Sequence, residues 1–246
     1  MGVNGPDFYD DHTLFSTYMR HRRRAGDGNA NETLERPVFL DLVGTVAGAR
    51  ILDLGCGDAS FGREALQAGC SSYTGLEGSQ NMVAAARETL TGTRGEVVHA
   101  TIEEWDFAPA AYDLIVSRLA LHYVDEYDGV CERVFGALAA SGRFIFSVEH
   151  PVMTSSARPE QPEGAHQDWT VDRYFYTGKR VKGWLGGQVV IYHRTVEDYF
   201  AGLQRAGFAV EHLRESHPRR ELFSNAEVYE RRMRIPLLLF LAGRKP

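Results

Sequence analysis

Cysteine is scarce in this chain of 246 residues, and the three present, Cys56, Cys70 and Cys131, are odd in number and lack Cys-x-x-Cys spacing. That argues against a disulfide framework or a zinc site and points to a reducing compartment. Long apolar runs are also missing, since no stretch of about 18 residues is apolar enough to span a bilayer. The start, Met1 to Asp11, is polar and acidic where a signal peptide is basic and then apolar. The expectation is therefore a cytoplasmic protein with no membrane partner. Positive charge is short too. With a net charge of −6 and a pI near 5.9, a nucleic-acid partner would need a local basic patch, and the best run, His21-Arg22-Arg23-Arg24, is too short to supply one. No constellation with metal-ligand spacing or a strong acid-base pair stands out.

What is present suits a globular α/β chain. The composition, 43% hydrophobic and 24% charged, is enough to bury the core of one domain, or one domain with a cap. The most informative stretch runs from Arg50 to Gly62. Ile51-Leu52-Asp53-Leu54 reads as a strand, Gly55-Cys56-Gly57 as a tight turn, and Phe61-Gly62-Arg63-Glu64-Ala65-Leu66 as the start of a helix. Glycines belong where a backbone turns sharply and a ligand approaches without a Cβ in the way, and the helix start behind them offers free N–H groups. A second strand, Ser72 to Leu76, ends in Glu77, at the distance from Gly57 where a β-α-β unit presents a carboxylate to ribose hydroxyls.

Two departures bear on which nucleotide is bound. Position 60 is Ser where the dinucleotide fingerprint has its third glycine, and Asp53, just before the turn, would repel a pyrophosphate but suits a ligand bearing an ammonium or sulfonium. The run Leu52-Asp53-Leu54-Gly55-Cys56-Gly57 resembles the first motif of class I S-adenosylmethionine-dependent methyltransferases, with Glu77 matching their ribose-binding acid, and the likeness extends loosely over nearly the whole chain. The resemblance implies a seven-stranded, mostly parallel Rossmann-like sheet whose last strand is antiparallel, with helices on both faces. It implies S-adenosylmethionine as cofactor, held by Asp53, Gly55, Cys56, Gly57, Glu77 and Gly78. Thr101 and Ile102 would lie at the adenine corner, though the family usually has an acid where Thr101 stands. Ser117 and Leu119, at the end of the fourth strand, would border the methionine part. The acceptor would be a small molecule, methylated on N or O, as in bacterial natural-product tailoring. A homo-oligomer stays open. A nicotinamide-dependent oxidoreductase and a non-catalytic S-adenosylmethionine-binding protein are the alternatives.

The remaining elements follow from periodicity. Leu14, Phe15, Tyr18 and Met19 predict an amphipathic helix over about 10–23, and a second helix runs from Thr33 toward Gly48. In the resembled family the segment 1–31 folds over the ligand as a lid, which would bring Tyr9, Tyr18 and Arg22 to the site. Ser79 caps a helix over 80–90, where Met82 either reaches the adenine or fills the core. Strands follow at 96–100, 112–117 and 143–148, with a helix over 126–139 between the last two. His122 is either packed under that helix or a substrate contact. His150 has the ordinary pKa of a base near neutrality, or else is fixed structurally by the turn before Pro151. The segment 152–188 is longer than the sheet requires and carries Trp169, Tyr174 and Trp184, so it reads as an aromatic cap with small strands at 174–176 and 189–192. The acceptor would then lie between Tyr9 and Tyr18 of the lid, His150 at the end of the fifth strand, and the cap around Trp169 and Tyr174, with Tyr9 or His150 orienting it and taking its proton. A helix from Thr195 to Gly207, a strand over 208–213, a short helix over 224–232 and an apolar strand over 235–242 complete the chain, all within one domain, 1–246.

Overall fold

In the computed structural model, which describes residues 2–23, 26–155 and 169–246, the apolar runs become nine strands. They are β1 (Arg50–Leu54), β2 (Ser72–Glu77), β3 (Glu96–His99), β4 (Tyr112–Arg118), β5 (Leu138–Glu149), β6 (Gly178–Trp184), β7 (Gly187–His193), β8 (Ala209–Glu215) and β9 (Leu238–Arg244). Seven of them form one sheet in the order β3-β2-β1-β4-β5-β9-β8, and β6 and β7 form a separate hairpin. Strand β1, the middle of β4 and residues 144–148 of β5 are buried, as strands covered on both faces must be. Strand β9 enters between β5 and β8 and runs antiparallel to both. The chain order reverses between β1 and β4, which are paired from Ile51 opposite Leu114 to Asp53 opposite Val116. The crevice beyond the carboxyl ends of those strands is where open α/β sheets bind ligands.

Helices α1 (Gly5–Asp10), α2 (His12–Arg22), α3 (Arg36–Val43), α4 (Ser60–Gln67), α5 (Gln80–Thr89), α6 (Tyr127–Ala137), α7 (Pro151–Thr154), α8 (Val196–Arg205) and α9 (Ala226–Arg234) surround this frame. One core includes Val38 and Phe39 of α3, Phe61 and Ala65 of α4, and Phe240 of the sheet. The other joins Val130 and Val134 of α6 and Leu203 of α8 to Phe144 and Phe146. A third, smaller cluster lies apart from both, with Phe8 of α1 packed against Val189 and Ile191 of the hairpin. Among the described residues, no helix is long and apolar enough to cross a membrane.

Several sequence expectations need correction. The N-terminal helix is two helices, because Asn4 caps the first, and Asp11, extended at φ −68° and ψ 120°, accepts from Thr13 N and Leu14 N to cap the second. The helix from Thr33 is a π-helical turn at Asn31–Glu35 that runs into α3 and stops at Gly44, whose φ is +62°. Residues 174–176 form no strand. Arg173 takes φ +56° and opens a turn, so the partner of β7 is the later, more polar β6. The last strand begins at Leu238, two residues past Pro236, which has no N–H for the ladder. Residues 156–168 of the expected cap, and Arg24 of the basic run, lie outside the described residues.

Candidate active site

The site begins at the glycine turn. Gly55 and Gly57 take φ +71° and +58°, where a side chain is strained, and a Cβ on Gly57 would meet no protein atom within 4 Å. Gly55 N and Cys56 N both donate to Leu76 O, at 2.8 and 2.9 Å, which ties the turn to the end of β2. The Glu77 carboxylate accepts from Gly57 N at 2.9 Å through Oε2 and from Ser79 N at 3.0 Å through Oε1. It is thereby clamped between the turn and the start of α5. Burial raises its carboxyl above the ordinary range, against the pull of these backbone donors.

Asp53 lies behind this turn. Its side chain is on the α4 side of the sheet, where Tyr73 Oη donates to Oδ2 at 2.8 Å and Oδ1 is buried without a partner. Burial pushes its carboxyl up to about 7, with Tyr73 and Arg118 pulling the other way. Ionising it therefore costs the folded state, so its contribution to stability falls as pH rises from the ordinary carboxylate range through about 7. The residues lining the cavity above the strand ends do not include Asp53, whose carboxylate stands one layer behind the turn. Cys56 and Ser117 are off the wall as well. Ser117 is fully buried and donates to Leu54 O at 2.8 Å, joining the ends of β4 and β1.

Above the strand ends lies a cavity of about 850 Å³. Of the residues expected at the site, Gly55, Gly57, Glu77, Gly78, Met82, Thr101, Ile102 and Leu119 line it from the sheet side, and Tyr9, Tyr18 and Arg22 from α1 and α2. The Thr101 hydroxyl is occupied locally, donating to Glu104 Oε2 at 2.9 Å. His122 and Trp169 also line the cavity. Burial lowers the His122 imidazole to about 4, which leaves it neutral near pH 7. Burial first, then Tyr123, holds the Tyr9 phenol well above its usual range, so it is a donor and not a base.

His150 is not on the wall. Pro151 starts α7 directly after it, Nδ1 accepts from Val152 N at 3.2 Å, and Nε2 meets Glu215 Oε1 at 2.9 Å. Nε2 thus joins the end of β5 to β8, while Nδ1 caps the start of α7. Tyr174 is also off the wall, with its hydroxyl accepting from Val196 N at 3.2 Å.

The wall also contains Trp184 of the expected cap and groups to which the sequence reading gave no role: Glu35, Arg118, Tyr123, Glu149 and Lys182. Arg118 Nε donates to Glu35 Oε1 at 3.1 Å, Ser147 Oγ donates to the same oxygen at 2.9 Å, and the Arg118 guanidinium lies 4.8 Å from the centre of the Phe39 ring. Glu149 ends β5 as Glu77 ends β2, and the rule that ligands gather beyond strand ends was the signal that could have found it. Glu35 gave no such signal, since its place depends on the π-turn.

The roof is a long-range assembly. Pro6 lies so close to Gly78 that a Cβ there would fall 2.7 Å from its Cγ. Asp10 Oδ1 accepts from Ser79 Oγ at 2.7 Å and from Asn81 N at 3.1 Å, which fixes the end of α1 to the start of α5. Val3 bridges to Val189 of the hairpin, with Val190 N donating to Val3 O at 2.8 Å. Tyr9 and Tyr123 meet hydroxyl to hydroxyl at 3.3 Å. Among the described residues, no group of three or more His, Cys, Asp or Glu side chains could hold a metal ion.

Comparison with known proteins agrees with this geometry. Residues 51–142 match the model of a methyltransferase domain. The solved structure of an S-adenosylmethionine-dependent methyltransferase from Mesorhizobium loti is 36% identical, covers 85% of this chain and 97% of that one, and superposes with a TM-score of 0.78. A protein of Listeria monocytogenes, solved as a candidate enzyme of the same kind, is 33% identical over 86% of this chain and 96% of that one, with a TM-score of 0.79. A trans-aconitate 2-methyltransferase of Variovorax paradoxus is 34% identical over 104 residues, covering 42% of this chain and 39% of that one.

Proposed function

The chain belongs to the class I S-adenosylmethionine-dependent methyltransferases, and on that premise we propose that it methylates a nitrogen or oxygen atom of a small molecule held in the roofed cavity. When bound, S-adenosylmethionine supplies an electrophilic methyl group on a sulfonium, so the protein's task is chiefly to align the reacting atoms and exclude water.

The residues present fit that cofactor. Gly57 leaves open the space a side chain would fill, and each Glu77 oxygen, already accepting one backbone N–H, keeps a lone pair for a ribose hydroxyl. Met82 and Ile102 would flank the adenine, beside Gly78 and Thr101. Leu119, Gly55, Tyr18 and Arg22 would border the methionine part. Asp53, Cys56 and Ser117 would act one layer further back by fixing the turn and the ends of β1 and β4.

The observation that carries the small-molecule reading is the extent of the cavity. It runs from the glycine turn to Trp169 and Trp184, and so leaves space on the hairpin side beyond the residues that would take the cofactor. The N-terminal helices and the hairpin roof that space, which favours a compact acceptor over a macromolecule. Tyr9 and Tyr123 would orient the acceptor there as hydrogen-bond donors. The nicotinamide alternative loses its support with membership of this family.

The test is incorporation of labelled methyl from S-adenosylmethionine into metabolite extracts, with protein and nucleic-acid fractions counted separately. Label in low-molecular-weight N- or O-methyl products is expected. Label confined to protein or nucleic acid would contradict the proposal.

A further inference from the structure

The hairpin side of the cavity holds an ion pair to which the reading above gives no role. Glu149, the last residue of β5, lines the wall, and its Oε1 accepts a 2.6 Å bond from Lys182 Nζ of the hairpin. Oε2 is buried with no hydrogen-bond partner. A buried carboxylate oxygen in that state carries a desolvation cost that a ligand N–H can offset. Burial alone would raise this carboxyl, but the Lys182 ammonium bonded to it holds it below its usual range, so it is ionised near pH 7. Tyr9, Tyr123 and Trp184 bring aromatic rings to the same wall.

We propose that the acceptor is a small organic amine and that Glu149 is the counter-charge beside its nitrogen. This rests on the reading of the cavity as the methyl-acceptor site. The amine reacts as its free base, having left any proton with solvent. Its lone pair forms the N–C bond while the C–S bond breaks and its electron pair goes to sulfur. The positive charge of the sulfonium thus ends on nitrogen. Charge moves toward the hairpin, where an ionised carboxylate stabilises it and aromatic faces add cation–π attraction. Any hydrogen still on the nitrogen becomes the donor that Oε2 lacks. A carboxylate acceptor reverses this logic, because its charge is cancelled by methylation and Glu149 repels it on entry.

The test starts from the labelled-methyl screen, with products identified by mass spectrometry. Labelled N-methylamines are expected. Labelled esters or ethers would overturn the inference and leave small-molecule methyl transfer standing, whereas label in no small molecule would overturn both. With the amine so identified, Glu149→Gln should lower kcat/KM by about 10² to 10³-fold. Calorimetry with S-adenosylhomocysteine present should show the amine bound at least about tenfold more weakly, the loss of one charge-assisted hydrogen bond, while the affinity for S-adenosylhomocysteine is unchanged. Unchanged amine affinity would overturn the inference. Should that variant not fold, Glu149→Asp keeps the charge but shortens the side chain and draws its free oxygen back from the nitrogen. Weaker amine binding with unchanged affinity for S-adenosylhomocysteine is then expected, and equal or tighter amine binding overturns the inference.

Discussion

On the floor of the cavity, Gly55, Gly57 and Glu77 come from one β-α-β unit and are joined by backbone hydrogen bonds at 2.8 to 3.0 Å. On the roof, Val3, Phe8 and Tyr9 meet Val189 and Ile191 from the far side of the chain, held by a short bridge and a small apolar cluster. The floor stands on a fully buried sheet core, whereas the roof rests on its own satellite cluster and a few hydrogen bonds at its edge, from Ser79 and Asn81 to Asp10 and between Tyr9 and Tyr123. Regions with few buried contacts open first, so the roof is the part suited to admit ligands. The two regions should therefore respond differently to mutation.

The sharpest way to break the contrast is at the turn. Gly57→Val puts a branched side chain at φ +58° and into the open space, and should abolish S-adenosylmethionine binding in calorimetry while the protein stays folded. Retained binding would make the turn merely structural. On the roof, Phe8 is fully buried, and Phe8→Ala should cost about 3 to 5 kcal/mol within its cluster. The readout is hydrogen exchange, with protection lost in α1 and β7 and kept in β1 and β4. Equal loss in both would erase the distinction. Glu77→Ala should weaken cofactor binding by about 1 to 3 kcal/mol, the scale of losing a charged acceptor to buried hydroxyls, and an unchanged dissociation constant would remove Glu77 from the site. The smallest effect is expected outside both regions. His150→Ala should leave kcat/KM within about twofold and lower Tm by about 2 to 4 °C, as losing roughly 1 kcal/mol does in a chain of this size. A large fall in kcat with Tm unchanged would return His150 to the chemistry.

The same contrast explains what could be read from the sequence. The places of the strands along the chain and the turn at Gly55 and Gly57 follow from apolar runs and glycines acting locally, so they were legible, whereas the antiparallel last strand came from the family resemblance and the strand order from the packed sheet. That Asp53 lies beside Tyr73 was not legible, because strand residues alternate between faces and only the packed structure shows what each face meets. The directions of His150 and Tyr174 were hidden for a similar reason. The turn before α7 and the turn at Arg173 re-aim them, and a residue's type does not report its direction. Glu149 and Lys182 meet across 33 residues of a segment whose strands begin later than the aromatic run suggests, and no local pattern announces that pairing.

The measurement that bears most directly on the account is a crystal structure with S-adenosylhomocysteine bound. It should show ribose hydroxyls on Glu77, adenine beside Met82 and Ile102, and the sulfur facing the space among Tyr9, Tyr123 and Trp184. A ligand whose ribose lies away from Glu77, or whose homocysteine carboxylate occupies the space beside Glu149, would contradict the division of the cavity into a cofactor floor and an acceptor roof.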